Sequence, residues 1–334
     1  MRALILFALL LPSLVLAQAP QKQLPKLSIC VFDPLGANGP LFNTMKDYRT
    51  VAFEWGADVE PRAYTDEKIA VDDFKAGQCD AALVTGARAR PFNKFAATLG
   101  AIGAIPSEKM LRSLLGTISS KKAAKYMREG QYEVAGIMPA GPIYLFTRDR
   151  SIDTVEKLSG KRIATIDYDQ PSIFLVNHIG ASMVPSNSAN FSGKFNNGSV
   201  DVAYAPAVAY KPLELYKGLE GNGGILRFPL AYMDFQIIIR ADKFPEGFGQ
   251  KSRTSVSGYF DRVNETVEQA TQEIDPKFWM DLAAETKLEY NEMLRDVRIK
   301  LRDQGIYNGK MLKLMRKLRC KANPAAAECT EKLE

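Results

Sequence analysis

Apolar positions along the chain follow two rhythms that alternate. Residues 27–32 (Leu-Ser-Ile-Cys-Val-Phe) form a nearly continuous apolar run that predicts a buried strand, closed by the turn-forming residues 33–39. Pro40 suits the first turn of a helix, where a missing N–H costs nothing. Leu41, Met45, Tyr48, Ala52 and Trp55 then recur at helical spacing until Gly56 stops them. Residues 58–64 predict a second strand, with Pro61 limiting its ladder. Thr65 reads as the cap of a second helix, with Asp66 and Glu67 at its positive end and Gly77 at its exit. Residues 80–84 are a third strand. A β-α-β-α-β order predicts a parallel sheet with right-handed crossovers.

The same order returns further along. Residues 161–166 predict a strand and 167–170 (Asp-Tyr-Asp-Gln) a loop, before a helix that begins at Pro171, carries Phe174, Leu175 and His178, and exits at Gly180. Residues 181–184 are a short strand, 188–195 a short helix and 200–205 a third strand. Phe74, Gly77, Asp80 and Ala82 reappear as Phe195, Gly198, Asp201 and Ala203, a constant offset of 121. With the matching order of elements, this points to a duplicated half-domain. Between the halves, residues 107–116 and 119–129 read as helices and 134–138 and 143–147 as two strands. Residues 225–228 and 235–239 are two more strands, and the chain after Asp275 is helical in character, packing back across both halves. The predicted fold is α/β: two doubly wound parallel-sheet lobes joined by hinge strands, with long C-terminal helices. Lobe 1 would comprise residues 18–143 plus 232–334, and lobe 2 residues 144–231.

The amino terminus carries a separate message. Arg2 precedes an apolar run over residues 3–16, and Val15-Leu16-Ala17 supplies the small side chains a signal peptidase reads, predicting cleavage after Ala17 and a periplasmic protein. Four cysteines agree with export. Cys320 and Cys329 flank a short turn-forming loop that a disulfide could close. Cys30 and Cys79 fall in predicted neighbouring strands, either bridged or as two buried thiols. The charge balance of 44 basic to 38 acidic residues is mild, and no nucleic-acid motif accompanies it. The single histidine, His178, removes most metal clusters and most histidine-based catalysis, and its place on an apolar stripe suggests that it is simply packed there. No cofactor and no enzymatic activity are expected.

Ligands of open parallel sheets bind outside the carboxyl ends of the strands, against helix N-termini. Two such edges face to face make a cleft that hinged lobes can close on a solute. An exported pair of this kind resembles a type II periplasmic solute-binding protein. Residues 152–206 are similar to the receptor subunits of tripartite ATP-independent periplasmic (TRAP) transporters. The stretches that carry the likeness are Leu158-Ser159-Gly160-Lys161-Arg162-Ile163, Gly180-Ala181-Ser182-Met183-Val184-Pro185 and Gly198-Ser199-Val200-Asp201-Val202. Residues 32–40 and 85–90 also resemble a group of exported proteins described as putative solute-binding proteins. The resemblance implies a substrate carboxylate held by two arginines and an asparagine, but alignment puts Ala164, Tyr144 and Ala205 at those positions. A bidentate guanidinium fork has no counterpart in alanine or tyrosine.

Strand-end geometry instead selects Asp33, Asn38, Thr85, Arg88, Arg90, Asp169, Gln170, Ser172 and Tyr204, with Tyr144 either stacking on a ligand or filling core. Asp and Asn are also ordinary loop and capping residues. Arg88 and Arg90 would hold an anion if they reach the cleft, and are solvated surface groups if they do not. The basic amphipathic stretch 310–319 either docks on an anionic membrane or transporter, or is an ordinary helix with a charged outer face. The expected function is a monomeric receptor that captures a small solute, anionic if those arginines serve it, for a membrane transporter or sensor. The alternative is an envelope scaffold or assembly factor that keeps the fold without a ligand.

Overall fold

The structure is a computed structural model and describes residues 24–334; the predicted leader and its cleavage site lie outside them. Eleven strands share one sheet: β1 Lys26–Phe32, β2 Asp58–Tyr64, β3 Ala81–Thr85, β4 Arg128–Glu129, β5 Tyr132–Thr147, β6 Arg162–Ile166, β7 Ser182–Ser186, β8 Val202–Pro206, β9 Gly224–Leu226, β10 Ala231–Arg240 and β11 Trp279–Met280. Their main order, β2-β1-β3-β10-β5-β8-β6-β7, reads almost as a palindrome. In each half the first strand lies between the second and third and is parallel to both. Pro61, on edge strand β2, is tolerated because its missing donor faces no further neighbour.

The repeated residues do the same work twice. The Asp80 carboxylate accepts the Ser28 N–H at 2.9 Å, and the Asp201 carboxylate accepts the Arg162 N–H at 2.9 Å, each tying the start of a third strand to the start of its first. Gly77 and Gly198 both take positive φ (79° and 81°), where a side chain would be strained, and Phe74 and Phe195 are both fully buried. Ala82 and Ala203 are likewise both fully buried, and two lobes built on one repeating unit account for all four coincidences.

β10 and β5 join them. β10 is antiparallel to β3 through residues 235–239 and to β5 along its whole length, while the far end of β5 pairs with β8 through residues 143–147. Residues 134–138 and 143–147, expected as two strands, are one strand of 16 residues. Met233 pairs with Gly141 but Asp234 with Pro139, so Ala140 is an extra residue. This β-bulge, with Gly141 at φ +94°, accommodates Pro139 and Pro142 within one continuous strand.

Other differences are local. Asp66, not Thr65, caps the second helix, accepting from the N–H groups of Lys68 and Ile69. Residues 119–129 are a 3-10 turn (Lys121–Tyr126) leading into β4, not an α-helix. Two helices, Phe248–Ser257 and Phe260–Gln272, were not anticipated. Past Asp275 the chain first adds β11 against β9, then forms the helices Ala284–Asp303, Gly309–Ala322 and Ala327–Glu331. These do cross both lobes: Arg298 donates to the Ile102 carbonyl in lobe 1, while Asp296 lies 3.4 Å from His178 in lobe 2. His178 is therefore not packed in a core; it sits at the surface, stacked parallel to Phe174. In the helix Gly309–Ala322 the basic face is divided. Arg316 and Arg319 are buried, Arg319 against Glu328 and Glu334, leaving Lys310, Lys313 and Lys317 outside. No helix of the described residues is long and apolar enough to cross a membrane.

Both cysteine pairs are bridged, Cys30–Cys79 and Cys320–Cys329. With separations of 49 and 9 residues, loop-closure entropy assigns them about 4 and about 3 kcal/mol respectively. The double variant Cys30→Ala/Cys79→Ala should therefore lower the melting temperature more than Cys320→Ala/Cys329→Ala does. A larger drop in the second variant would contradict this ranking.

Candidate functional site

The carboxyl ends of β1, β3, β6 and β8 meet across a cleft of about 680 Å³. Two helices begin at its edge, Pro40–Glu54 in lobe 1 and Gln170–His178 in lobe 2. Asp33 sits behind the first of these. One of its oxygens accepts the Leu35 N–H at 2.9 Å and the other the Phe42 N–H at 3.0 Å, so the carboxylate is buried and spent on shaping the loop. A Cβ on Gly39 would lie 2.0 Å from it, which is why that approach needs glycine.

Of the expected residues, Asp33, Thr85, Arg90, Asp169, Ser172 and Tyr204 line the cleft. Most have protein partners. Ser172 donates to Asp169, the Tyr204 hydroxyl accepts the Ile166 N–H at 3.0 Å, and the Thr85 hydroxyl accepts the Arg88 N–H at 3.4 Å. Asn38 and Gln170 are exposed and do not line it. Tyr144 does not either: along β5, Ile143 and Leu145 face the cleft, so the intervening Tyr144 points the opposite way. There it meets Trp279 edge-on at 5.0 Å, in a second cavity of about 590 Å³ that also holds Arg227 and Phe260. The same parity applies to Ala164, packed in the lobe 2 core while its neighbour Ile163 reaches the cleft. Neither position matched to an arginine of the TRAP receptors therefore points its side chain into the cleft, and the strand neighbours that do, Ile143, Leu145 and Ile163, are apolar. Ala205, at the asparagine position, lies opposite Tyr144 in the ladder and packs in the lobe 2 core with Ala164, so at most its backbone reaches the cleft.

Arg88 and Arg90 reach across from lobe 1, but what they meet is protein. Arg90 lies 3.8 Å from Asp169 and donates to the Ile306 carbonyl. The Arg88 guanidinium stacks on the Tyr168 ring, 3.2 Å from its centre, and is 3.9 Å from Glu67. Glu67 is wholly buried, accepting the Thr85 N–H at 2.7 Å and the Tyr168 hydroxyl from the other lobe. Burial raises the Glu67 carboxyl above its usual range, and burial beside that carboxylate raises the Tyr168 hydroxyl well above its own. Tyr168–Glu67 and Asp169–Arg90 are thus paired contacts between the lobes. Sequence reasoning had given Glu67 only a helix-end role and had passed over Tyr168 within its loop.

Asp234 was also missed, though it is an acid inside the apolar strand β10. It is 3% exposed and lines the cleft; one oxygen accepts from Gln236 Nε2 at 2.8 Å. A Cβ on Gly86 would come within 2.7 Å of the carboxylate, so only glycine leaves it room. Burial pushes this carboxyl up to about 7, with Arg90 pulling weakly the other way. The walls around these groups are apolar, formed in part by Leu41, Leu145, Ile163, Leu175, Phe191 and Met233.

Two lobes of this topology, with the cleft at their strand ends, define a solute-binding protein. The fold matches that of TRAP periplasmic solute-binding proteins. One from Haemophilus influenzae with bound L-gulonate has a TM-score of 0.73 at 9% identity, covering 88% of this chain and 99% of that one. Another, from Desulfovibrio salexigens with bound orotic acid, has a TM-score of 0.72 at 14% identity, covering 89% and 99%. The model of the family "Solute-binding protein AdeT 1/2" matches residues 50–334, and the chain belongs to that family. It is 44% identical over 299 residues to the probable solute-binding protein AdeT1 of Acinetobacter baumannii, covering 90% of this chain and 98% of that protein. It is 28% identical to the probable solute-binding protein AdeT2 of the same organism, over 68% of this chain and 96% of that one.

A carboxyl held near 7 rather than at its unfolded value of 3.8 binds a proton more readily folded than unfolded. Its contribution is favourable below about pH 4 and is lost as pH rises toward 7, at most about 4 kcal/mol. Asp234→Asn should therefore raise the melting temperature at pH 8, by the equivalent of about 1–4 kcal/mol, and change it little at pH 4. Melts at the two pH values check this; a variant destabilised at pH 8 would contradict it.

Proposed function

We propose that the protein is an exported receptor that, once cleaved after Ala17, works in the periplasm as a monomer, closing on one small solute and delivering it to a membrane transporter. In this reading residues 18–143 with 232–334 form one moving body and 144–231 the other, swinging on β5 and β10. The observation that carries it is the cleft of about 680 Å³ at the strand ends of both lobes, bridged by Tyr168–Glu67 and Asp169–Arg90. That volume suits a small organic molecule. Tyr168–Glu67 and Asp169–Arg90 have to break for the strand ends to part, so a solute touching both sides can decide the balance between open and closed.

Membership of a solute-binding family supports the reading, as does the fold it shares with receptors crystallised with organic acids. The acid itself does not carry over, because both cross-cleft arginines already face carboxylates. Thr85, Arg90, Asp169, Ser172 and Tyr204 are the polar rim against which a ligand would be oriented.

Native mass spectrometry of protein released gently from the periplasm tests the reading. The wild type should carry a small molecule, and Ile143→Trp, which fills the cleft wall, should lose it while remaining folded. Protein recovered from the periplasm with equal bound mass in both forms would contradict capture in the cleft.

A further inference from the structure

The polar groups of the cleft are unequal in sign. Asp33, Asp47, Glu67, Asp169 and Asp234 bring five carboxyls to its lining, against Arg90 and Arg262 there and Arg88 just behind; Asp47 and Arg262 face one another at 3.9 Å and are both exposed. Asp33 is spent on backbone N–H groups, Glu67 on Thr85, Tyr168 and Arg88, and Asp169 on Ser172 and Arg90. Asp234 is different. Gln236 reaches one of its oxygens, and among the described residues no donor reaches the other. Arg90 directs its hydrogen bond to Ile306 and its charge to Asp169 instead. On the same cleft lining lies Tyr290, 1% exposed, whose buried hydroxyl has no partner among the described residues.

Native interiors leave few such groups unmatched, since each costs free energy unless something pairs with it. A carboxylate at the bottom of an apolar cleft is matched best by a cation. An incoming carboxylate would meet this acid where Arg90, the guanidinium that acts on it, already faces Asp169, while Arg262 is exposed beside Asp47. Resting on the receptor reading above, we propose that the solute is an organic amine: an apolar body against Leu145, Ile163 and Met233, its protonated nitrogen on the free Asp234 oxygen. The Tyr290 hydroxyl offers a second hydrogen bond to a polar group on the same molecule.

Calorimetric titration at pH 8 with three probes of one hydrocarbon body, naphthylethylamine, naphthylethanol and naphthylacetate, tests this. The amine should bind about tenfold or more tightly than the alcohol, and naphthylacetate should give no heat. Asp234→Asn should weaken the amine about tenfold and leave the alcohol unchanged, with a melting temperature showing the variant folded. Tyr290→Phe should leave the amine and the alcohol unchanged, since neither carries the second polar group that its hydroxyl would meet. Naphthylacetate binding as tightly as the amine, an amine affinity unmoved in Asp234→Asn, or no binding by any of the three would overturn the inference. The receptor reading is judged separately, by the mass bound to periplasmic protein: a bound acid or sugar in the cleft overturns the amine and keeps the receptor.

Discussion

The antiparallel pairing of β5 with β10 is the constraint on which everything else is built. Each of these strands belongs to the sheet of both halves, so neither lobe is complete without them. Because they run antiparallel to their neighbours β3 and β8, the two sets of parallel strands point their carboxyl ends at one another. Reversed, those ends would face outward and there would be no cleft. The bulge at Ala140 and the left-handed Gly141 sit where the strands pass between lobes, and a Cβ on Gly141 would lie 2.6 Å from Val267. The crossing is therefore bent and tightly packed against the helix Phe260–Gln272, as a joint between two rigid bodies has to be.

That placement decides which side chains can touch a guest. Strand residues alternate faces, and a shift of one position exchanges core for cleft. Ile143, Leu145 and Ile163 fall on the cleft side; Tyr144 and Ala164 fall away from it. The cleft is consequently lined by hydrocarbon where relatives in fold hold organic acids, and its charges are largely consumed in holding the lobes together. Asp234 stands out as a charge that does neither. A buried carboxyl kept near 7 weakens the fold at neutral pH, and natural chains retain such costs chiefly where binding uses them.

Much of this architecture was legible in the sequence because it rests on local signals. Apolar runs closed by glycine and proline located the parallel strands to within a residue or two, and the Phe-Gly-Asp-Ala repeat exposed the duplication through a turn that each half needs. The sequence was less informative where partners come from distant segments. Residues 134–138 and 143–147 read as two strands because the bulge that makes them one, and accommodates Pro139 and Pro142, depends on pairing with the distant β10. Arg88 and Arg90 were placed at the correct edge, but their partners Glu67, Tyr168 and Asp169 lie on other elements and could not be assigned from spacing. Of the two readings of Tyr144, stacking on a ligand or filling core, alternation along β5 selects packing against Trp279, away from the cleft. Asp234 did leave a trace, an acid in an otherwise apolar strand, which is the kind of local inconsistency that tends to mark a site.

The account stands or falls on where a solute sits. A crystal structure of the protein purified with its native ligand is the direct measurement. The expected result is electron density between the strand ends of the two lobes, in contact with Asp234 and walled by Leu145 and Ile163. Density in the cavity behind the hinge, between Tyr144 and Trp279, with the cleft holding only water, would contradict it.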